Sequence, residues 1–538
     1  MVETQAFEWW RGASLYQIYP RSFLDTTGTG IGDLPGITDR LGYVASLGVD
    51  GIWISPFFPS PMHDFGYDVA DFCDVDKIFG SLADFDHLIA TAHELGLKVV
   101  IDQVYSHSSS EHPWFTESRS SRENPKSDWY VWADARPDGT PPNNWLSIFG
   151  GPAWTWDARR QQYYLHNFLS TQPDLNLHHP DVQENLLSVA RFWLDRGVDG
   201  FRLDAINFGM HNTSLADNPV ADTEVWCGLR PVDMQKALNN SNQPELLTFI
   251  ERLRNLMDQY DSRFTVAEVG GKQSGDIRKQ YTNGSGRLNS AYGFEFLYLS
   301  ELSSQAVADI LQAWSNQSGN SWPSWAFSNH DVVRAQSRWL QELSPKHRAS
   351  LITLFLISLR GNIFLYQGEE LGLPQADLSL DDVKDPEALR NWPHTLGRDG
   401  ARTPMPWHST EENAGFSSAR PWLPISDDHL NHASDSPLGG EIRDVVTQLL
   451  SLRRESPCLK WGDLVDIKSD GETVSYARTT GEQRLNVFFN FSGDPVRLGL
   501  INTSSVLAMV SADGFSAEFP EELPPWSGIL YYPDIDSV

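Results

Sequence analysis

The chain predicts an α/β fold: a closed (β/α)8 TIM barrel with a small inserted domain after its third strand and a C-terminal antiparallel β-domain. Three observations carry this. Amphipathic helical stretches alternate with β-rich runs, as parallel strands with crossover helices require. Eight such runs can be counted, the number that closes a barrel. No GxGxxG or GxxxxGK[ST] loop follows any of them, which weakens the open, doubly wound alternative.

The elements follow in order. "SLYQIYP" at 14–20 is the first strand. "LGVDGIWISP" at 47–56 and "RGVDGFRLDA" at 196–205 share the string GVDG and supply the second and fourth. Each follows an amphipathic stretch, "DRLGYVASL" and "ENLLSVARFWLD". "HELGLKVVIDQV" at 93–104 gives the third and "FTVAEVG" at 264–270 the fifth. "YGFEFLY" at 292–298, "SWAFSNHD" at 324–331 and the end of "LITLFLISLRGNIFLYQG" at 351–368 complete the set. Residues 1–104 and 177–461 are thus assigned to the barrel, with a loop-rich part at about 373–438. The Trp/Asn/Pro/Ser-rich 105–176 forms the insert. Residues 462–538, with short β-rich pieces such as "TVSYARTT" and "RLNVFFNF", form the β-domain.

The totals narrow the function. With 538 residues the chain exceeds one ordinary core. Its 41 Lys+Arg against 71 Asp+Glu give a net charge of −30, which disfavours nucleic acid, phosphate-rich partners and anionic membranes. Cys73, Cys227 and Cys458 lie far apart with no CxxC, so neither a disulfide framework nor a zinc site is expected. The N-terminus has no basic and apolar signal regions, and "LITLFLISL" at 351–359 is too short to span a bilayer. A cytoplasmic protein, monomer or homodimer, is expected.

Chemistry-bearing residues gather at strand ends. In "GFRLDAINF", Arg202 and Asp204 share one face of a strand, two residues apart. At the C-terminal end of a barrel strand Asp204 reaches the pocket floor, and the cation below it favours the charged carboxylate a nucleophile needs. Glu268 ends a strand whose same-face neighbour is Val266, and apolar surroundings raise a carboxyl towards the range of a general acid. His330 and Asp331 end another strand; Asp102 and His107 lie at the end of a fourth. Singly, each has an ordinary explanation: a helix N-cap, a structural ion pair, a satisfied core histidine. Four strands converging in this way favour a site. Two carboxyls in unlike environments plus a third match glycoside hydrolysis, and a separation of roughly 5 Å gives retention through a glycosyl–enzyme intermediate. No GxSxG elbow or HExxH helix offers acyl-transfer or zinc chemistry instead.

At these residues the chain resembles the α-amylase superfamily, family thirteen of the glycoside hydrolases, and within it the α-glucosidase and oligo-1,6-glucosidase subgroup. The resemblance runs from "WWRGASLYQIYPRSF" at 9–23 to the last β-pieces and rests on "GFRLDAINF", "VAEVG", "FSNHD", "QPDLNL" at 172–177 and "GRDGARTPMPW" at 397–407. It implies Asp204 as nucleophile, Glu268 as acid/base and Asp331 as the carboxylate gripping ring hydroxyls. Tyr67, His107, Arg202 and His330 resemble the lining of the non-reducing glucose subsite. Asp64 and Arg398 resemble the pair closing the floor around the terminal 4-hydroxyl, which implies exo action on short substrates. Phe149, Phe168 and Phe294 resemble aromatic walls of the leaving-group subsite. Ala205, where α-1,6-preferring relatives carry valine, implies α-1,4 preference.

Two departures concern metals. Ser106 stands where the family usually has an Asn that serves a calcium site, so that site is expected to be absent. "DTTGTGIGD" at 25–33 resembles a short EF-hand-like loop, with Asp25, Thr27, Thr29, the Ile31 carbonyl and Asp33 as ligands for structural Ca2+ or Mg2+. Its few charges weaken affinity, and a Gly/Thr turn without metal is the alternative. The chemistry requires no cofactor. The resemblance thus implies a retaining exo-α-glucosidase acting on maltose, sucrose or short malto-oligosaccharides, with transfer to sugar or alcohol acceptors. The alternatives are a sucrose or trehalose isomerase or hydrolase on the same scaffold, and a non-catalytic sugar- or partner-binding relative. No Arg-rich loop follows the sixth strand, which argues against the sucrose isomerases. The presence of all three carboxylates argues against the non-catalytic relative.

Overall fold

A computed structural model describes residues 8–221, 230–270, 274–315, 321–392, 395, 397–481, 483–498 and 503–533. Cys227, Gly271 and the first seven residues lie outside the described residues.

Eight parallel strands close into a barrel. They are β1 (Ser14–Ile18), β2 (Gly51–Ile54), β3 (Lys98–Val104), β4 (Gly200–Asp204), β5 (Phe264–Glu268), β6 (Ser290–Tyr292), β7 (Trp322–Ala326) and β8 (Asn362–Tyr366). Each pairs with the next, and β8 pairs back onto β1. The GVDG recurrence has a packing cause. Gly48 and Gly197 turn the chain from helix to strand at φ 85° and 97°, where a side chain is disfavoured. A Cβ on Gly51 or Gly200 would sit 2.5 Å from the carbonyl oxygen of Lys98 or Phe264 on the neighbouring strand. Asp199 accepts the Val99 backbone N–H and meets Lys98, Arg263 and His93, pinning the strand starts.

The crossover helices show their causes locally. In α1 (Leu34–Ser46) the Asp33 side chain caps the first turn through the Gly36 N–H, and a proline stands in that turn. In α2 (Leu82–Glu94) Ser81 and Asp84 form a capping box. The helix Pro180–Asp195 buries Val182, Leu186, Val189, Ala190 and Trp193, spaced three and four residues apart so that one face meets the barrel. The helix Pro345–Ser358 is buried on every side from Ala349 onward. That explains the "LITLFLISL" run: this helix lies between barrel and β-domain, and its Phe355 ring meets Phe489 edge-on at 5.4 Å. No helix among the described residues is long and apolar enough to cross a membrane.

Two expectations shift. The sixth strand is Ser290–Tyr292 rather than 292–298. The strand ends before Gly293, and the aromatic run after it leaves the sheet as a loop. The seventh strand ends at Ala326, so "FSNHD" forms the loop above it. Between β3 and β4 a three-stranded sheet joins Trp132–Ala133, Gln162–Leu165 and Trp154–Asp157. After the barrel a six-stranded antiparallel sheet spans Asp463–Asp470 to Ser527–Pro533.

The barrel is a packed core. Leu15, Trp53, Val100, Phe264, Val266 and Phe364 fill its interior. Asp204 and Glu268 stand above this layer, at the C-terminal ends of β4 and β5.

Candidate active site

Strand register decides which acids meet. Leu203 pairs with Ala267, so Asp204 and Glu268 end neighbouring strands at the same level. Neighbouring strands lie ~4.8 Å apart. Asp102 pairs with Arg202 one level down on the other side. Arg202 therefore stands among three carboxylates. Its Nη1 meets Asp102 Oδ1 at 2.7 Å and also Asp204 Oδ1, and its Nη2 meets Glu268 Oε1 at 2.7 Å. The guanidinium lies 5.0 Å over the Trp53 ring, whose Nε1–H donates to Asp102 Oδ2. Asp102 and Arg202 are closed off, at 0% and 1% side-chain exposure; Asp204, Glu268 and Asp331 keep 10%, 11% and 26%. The last three are the ones a ligand can touch.

This differs from the expected apolar setting of Glu268 and the expected service of Arg202 to Asp204 alone. One cation is divided among three acids, and burial outweighs it. Burial pushes Glu268 up to about 8; Arg202 opposes the rise, while Asp204 and Asp331 add to it. Burial likewise raises Asp204 and Asp102 against Arg202. Glu268 Oε2 also accepts the Ala205 N–H at 2.9 Å. Ala205 is left-handed, φ 38° and ψ 35°, which turns that N–H inward directly after the Asp204 strand end.

Asp331 is the opposite case. Burial works to raise it, but the charges of Arg402 and Arg398 overcome that and hold its carboxyl well below the usual range. Arg402 Nη2 is 2.8 Å and Arg398 Nη1 3.3 Å from Asp331 Oδ1. The Gln17 amide donates to His330 Nδ1 at 2.8 Å, so Nε2 carries the proton, 2.6 Å from Tyr67 Oη and 3.1 Å from Asp331 Oδ2. Burial pushes His330 down to about 3, and the ring is neutral. Its ring lies nearly parallel to those of Tyr67 and Tyr19, with centroids at 5.4 and 5.5 Å. His107 Nε2 is 3.1 Å from the Tyr67 carbonyl, and the Ser106 hydroxyl is 3.0 Å from Nδ1, so here Ser106 orients the histidine.

A second charged knot closes the side beyond Asp331. Arg398 Nη2 lies 2.8 Å from both Asp64 Oδ1 and Asp385 Oδ1. Asp385 Oδ2 also accepts from the Arg398 Nε and backbone N–H. Gln172 donates to Asp64 Oδ2. Phe149 lies under the Arg398 guanidinium at 5.0 Å and beside Phe168 at 6.1 Å, and Phe168 packs on His107 at 5.0 Å. Phe294 stands on the far side, beyond Glu268, and a Cβ on Gly270 would come within 3.8 Å of its ring.

The sequence did not reveal Asp385, Arg402 or Gln17. Asp385 precedes a proline and caps a helix through the Glu387 N–H, so its residue type already had a local reason. Arg402 follows Arg398 by four residues, and only the loop's path shows that both reach Asp331.

The loop at 25–33 stands apart from this cluster. The oxygens of Asp25, Thr27, Thr29 and Ile31 follow one another at 3.1, 3.4 and 3.3 Å and could hold a small cation. Asp25 also accepts the backbone N–H groups of Thr27, Gly28 and Gly30, and Asp33 is spent on the α1 cap. Among the described residues no three or more His, Cys, Asp or Glu side chains group as a metal site.

A closed parallel barrel whose C-terminal rim presents three reachable carboxylates, two of them sharing one buried guanidinium, defines a glycoside-processing enzyme. The chain belongs to the alpha-amylase family: the alpha amylase catalytic domain matches residues 17–462. It is 50% identical over 535 residues to a probable alpha-glucosidase of Rhizobium meliloti, covering 97% of each chain. It is 39% identical over 455 residues to the oligo-1,6-glucosidase of Heyndrickxia coagulans, covering 78% of this chain and 80% of that one. Among solved structures it superposes on the alpha-glucosyl transfer enzyme XgtA with a TM-score of 0.93 and 46% identity, over 98% of this chain and 100% of that one.

Proposed function

We propose that the protein is a retaining, exo-acting α-glucosidase that releases α-glucose from the non-reducing end of short α-glucosides such as maltose. The observation that carries this is the bridging of Asp204 and Glu268 by one guanidinium at adjacent strand ends. Neighbouring-strand spacing suits the roughly 5–5.5 Å of retaining pairs. Glu268 gives its proton to the glycosidic oxygen while Asp204 attacks the anomeric carbon; the C1–O bond breaks and an ester to Asp204 forms. Water, or a sugar or alcohol acceptor, then gives its proton to the Glu268 carboxylate and displaces Asp204 from C1. Asp331, held ionised by two arginines, binds ring hydroxyls. The Asp64–Arg398–Asp385 knot walls off the end of the glucose site, so only a terminal residue fits.

Product analysis on maltose, isomaltose, sucrose and trehalose tests the reading. Free glucose with initial α configuration is expected, with maltose preferred. Conversion of sucrose to an isomer would replace this reading by the isomerase one. Linkage preference is assigned to Ala205, whose short side chain sits beside the reacting carbon. Ala205→Val is expected to move the isomaltose-to-maltose ratio of kcat/KM upward by about tenfold. A ratio is the right readout, because a β-branched side chain at positive φ also costs stability. An unmoved ratio would remove Ala205 from the specificity argument.

The pH profile follows from the raised carboxyls. Glu268 must be protonated to act as acid, so kcat/KM falls as pH rises through about 8. Asp204 must be ionised, so the acid limb lies above the usual aspartate range. An alkaline limb below about pH 6 would contradict the assignment of Glu268.

A further inference from the structure

An aromatic ladder leaves the site on the Glu268 side. Tyr292 pairs in register with Glu268. Phe294 meets Tyr292 edge-on at 5.8 Å, and Tyr298 stacks on Phe294 at 5.2 Å and 16°. The Tyr298 N–H donates to the Phe294 carbonyl, so one turn of chain holds the two rings in line. The bottom rung lies level with the acid that protonates the departing oxygen, so the departing group lies along the ladder. The top rung is bare: Tyr298 is 66% exposed.

Its surroundings set the ligand chemistry. Among the described residues every exposed large apolar side chain except Leu95 and Trp156 falls in a segment that follows β4, β6, β7 or β8. Met234, Val333 and Leu389 are of this set. Scattered exposed apolar residues need no explanation, but their restriction to the segments that follow four barrel strands does.

We infer that Tyr298 sets aglycone specificity, its ring serving as the platform on which an aromatic leaving group or aromatic acceptor alcohol stacks. This rests on the α-glucosidase reading above. In transfer to a phenol, the acceptor O–H gives its proton to the Glu268 carboxylate, its oxygen bonds C1, and the ester bond from C1 to Asp204 breaks with the electron pair returning to the carboxylate.

The test compares the full chain with Tyr298→Ala and Tyr298→Phe. Two ratios are read: kcat/KM for p-nitrophenyl α-glucoside against maltose, and transfer from maltose to hydroquinone against transfer to 1-hexanol. Loss of one stacked ring is expected to lower both ratios by about 5- to 10-fold in Tyr298→Ala, with Tyr298→Phe close to wild type. Unchanged ratios overturn the inference, as does an equal loss of transfer to hydroquinone and 1-hexanol. A changed oligomeric state with unchanged ratios also overturns it, and makes the ring an interface between copies. Failure of the wild type to act on any α-glucoside would sink the functional reading instead, a result the ratios cannot mimic.

Discussion

Asp204→Asn is expected to reduce kcat on maltose at least roughly 10⁴-fold, with the fold and substrate binding retained. The amide keeps the size of the carboxylate and can still meet Arg202, but it cannot form the ester. Glu268→Gln is expected to behave differently, and the difference identifies the roles. Loss of the acid costs roughly 10²–10⁴-fold on maltose, whose departing hydroxyl needs a proton. A glucoside of an acidic phenol leaves without that proton, so its first step survives and glucosyl–enzyme accumulates. Added azide, which needs no general base, should then restore turnover and give α-glucosyl azide. If both variants lost activity equally on both substrates, or if both kept it, the assignments would fail. Circular dichroism and thermal melting separate either result from misfolding.

Much of the barrel was legible because its cause is local. A helix, a glycine turn and a β-rich run recur, and GVDG marks two places where a neighbouring carbonyl excludes a Cβ. The sixth strand was misplaced because its three residues are too few to show alternation, while the aromatic run beyond Gly293 imitates a strand. The three reachable acids could be read because each ends or follows a strand, and a charged residue there contradicts the apolar pattern behind it. The electrostatics could not be read so far. Sequence puts Arg202 beside Asp204, but that it also serves Asp102 and Glu268 follows from register between strands. The Arg398–Asp64 pair could be named only by resemblance, since the two are 334 residues apart and meet through loop paths. Asp385 was hidden by an adequate local role as a helix cap.

Removing Arg202 should be the most damaging change outside the reacting groups. It leaves Asp102, Asp204 and Glu268 buried together with no cation in contact. Breaking a buried ion pair costs about 3–5 kcal/mol, and here three acids lose one partner. The sign with pH is distinctive. Arg202 is what opposes the burial-driven rise of all three carboxyls, so without it they rise further. The native state then holds protons that the unfolded chain releases near pH 4, and stability falls as pH increases from about 4 toward the raised values. Arg202→Leu is therefore expected to be most stable in acid and to lose stability toward neutrality. Its activity, which needs ionised Asp204, should have an acid limb moved upward and little turnover at pH 7. Arg202→Lys supplies charge but only one compact ammonium, which cannot reach three carboxylates with the spread of a guanidinium, so it should recover part of the stability and little of the activity. Melting curves and kcat/KM measured across pH decide the matter. If Arg202→Leu kept wild-type stability at pH 7, or kept its acid limb in place, the guanidinium would not be what sets the charge of the site.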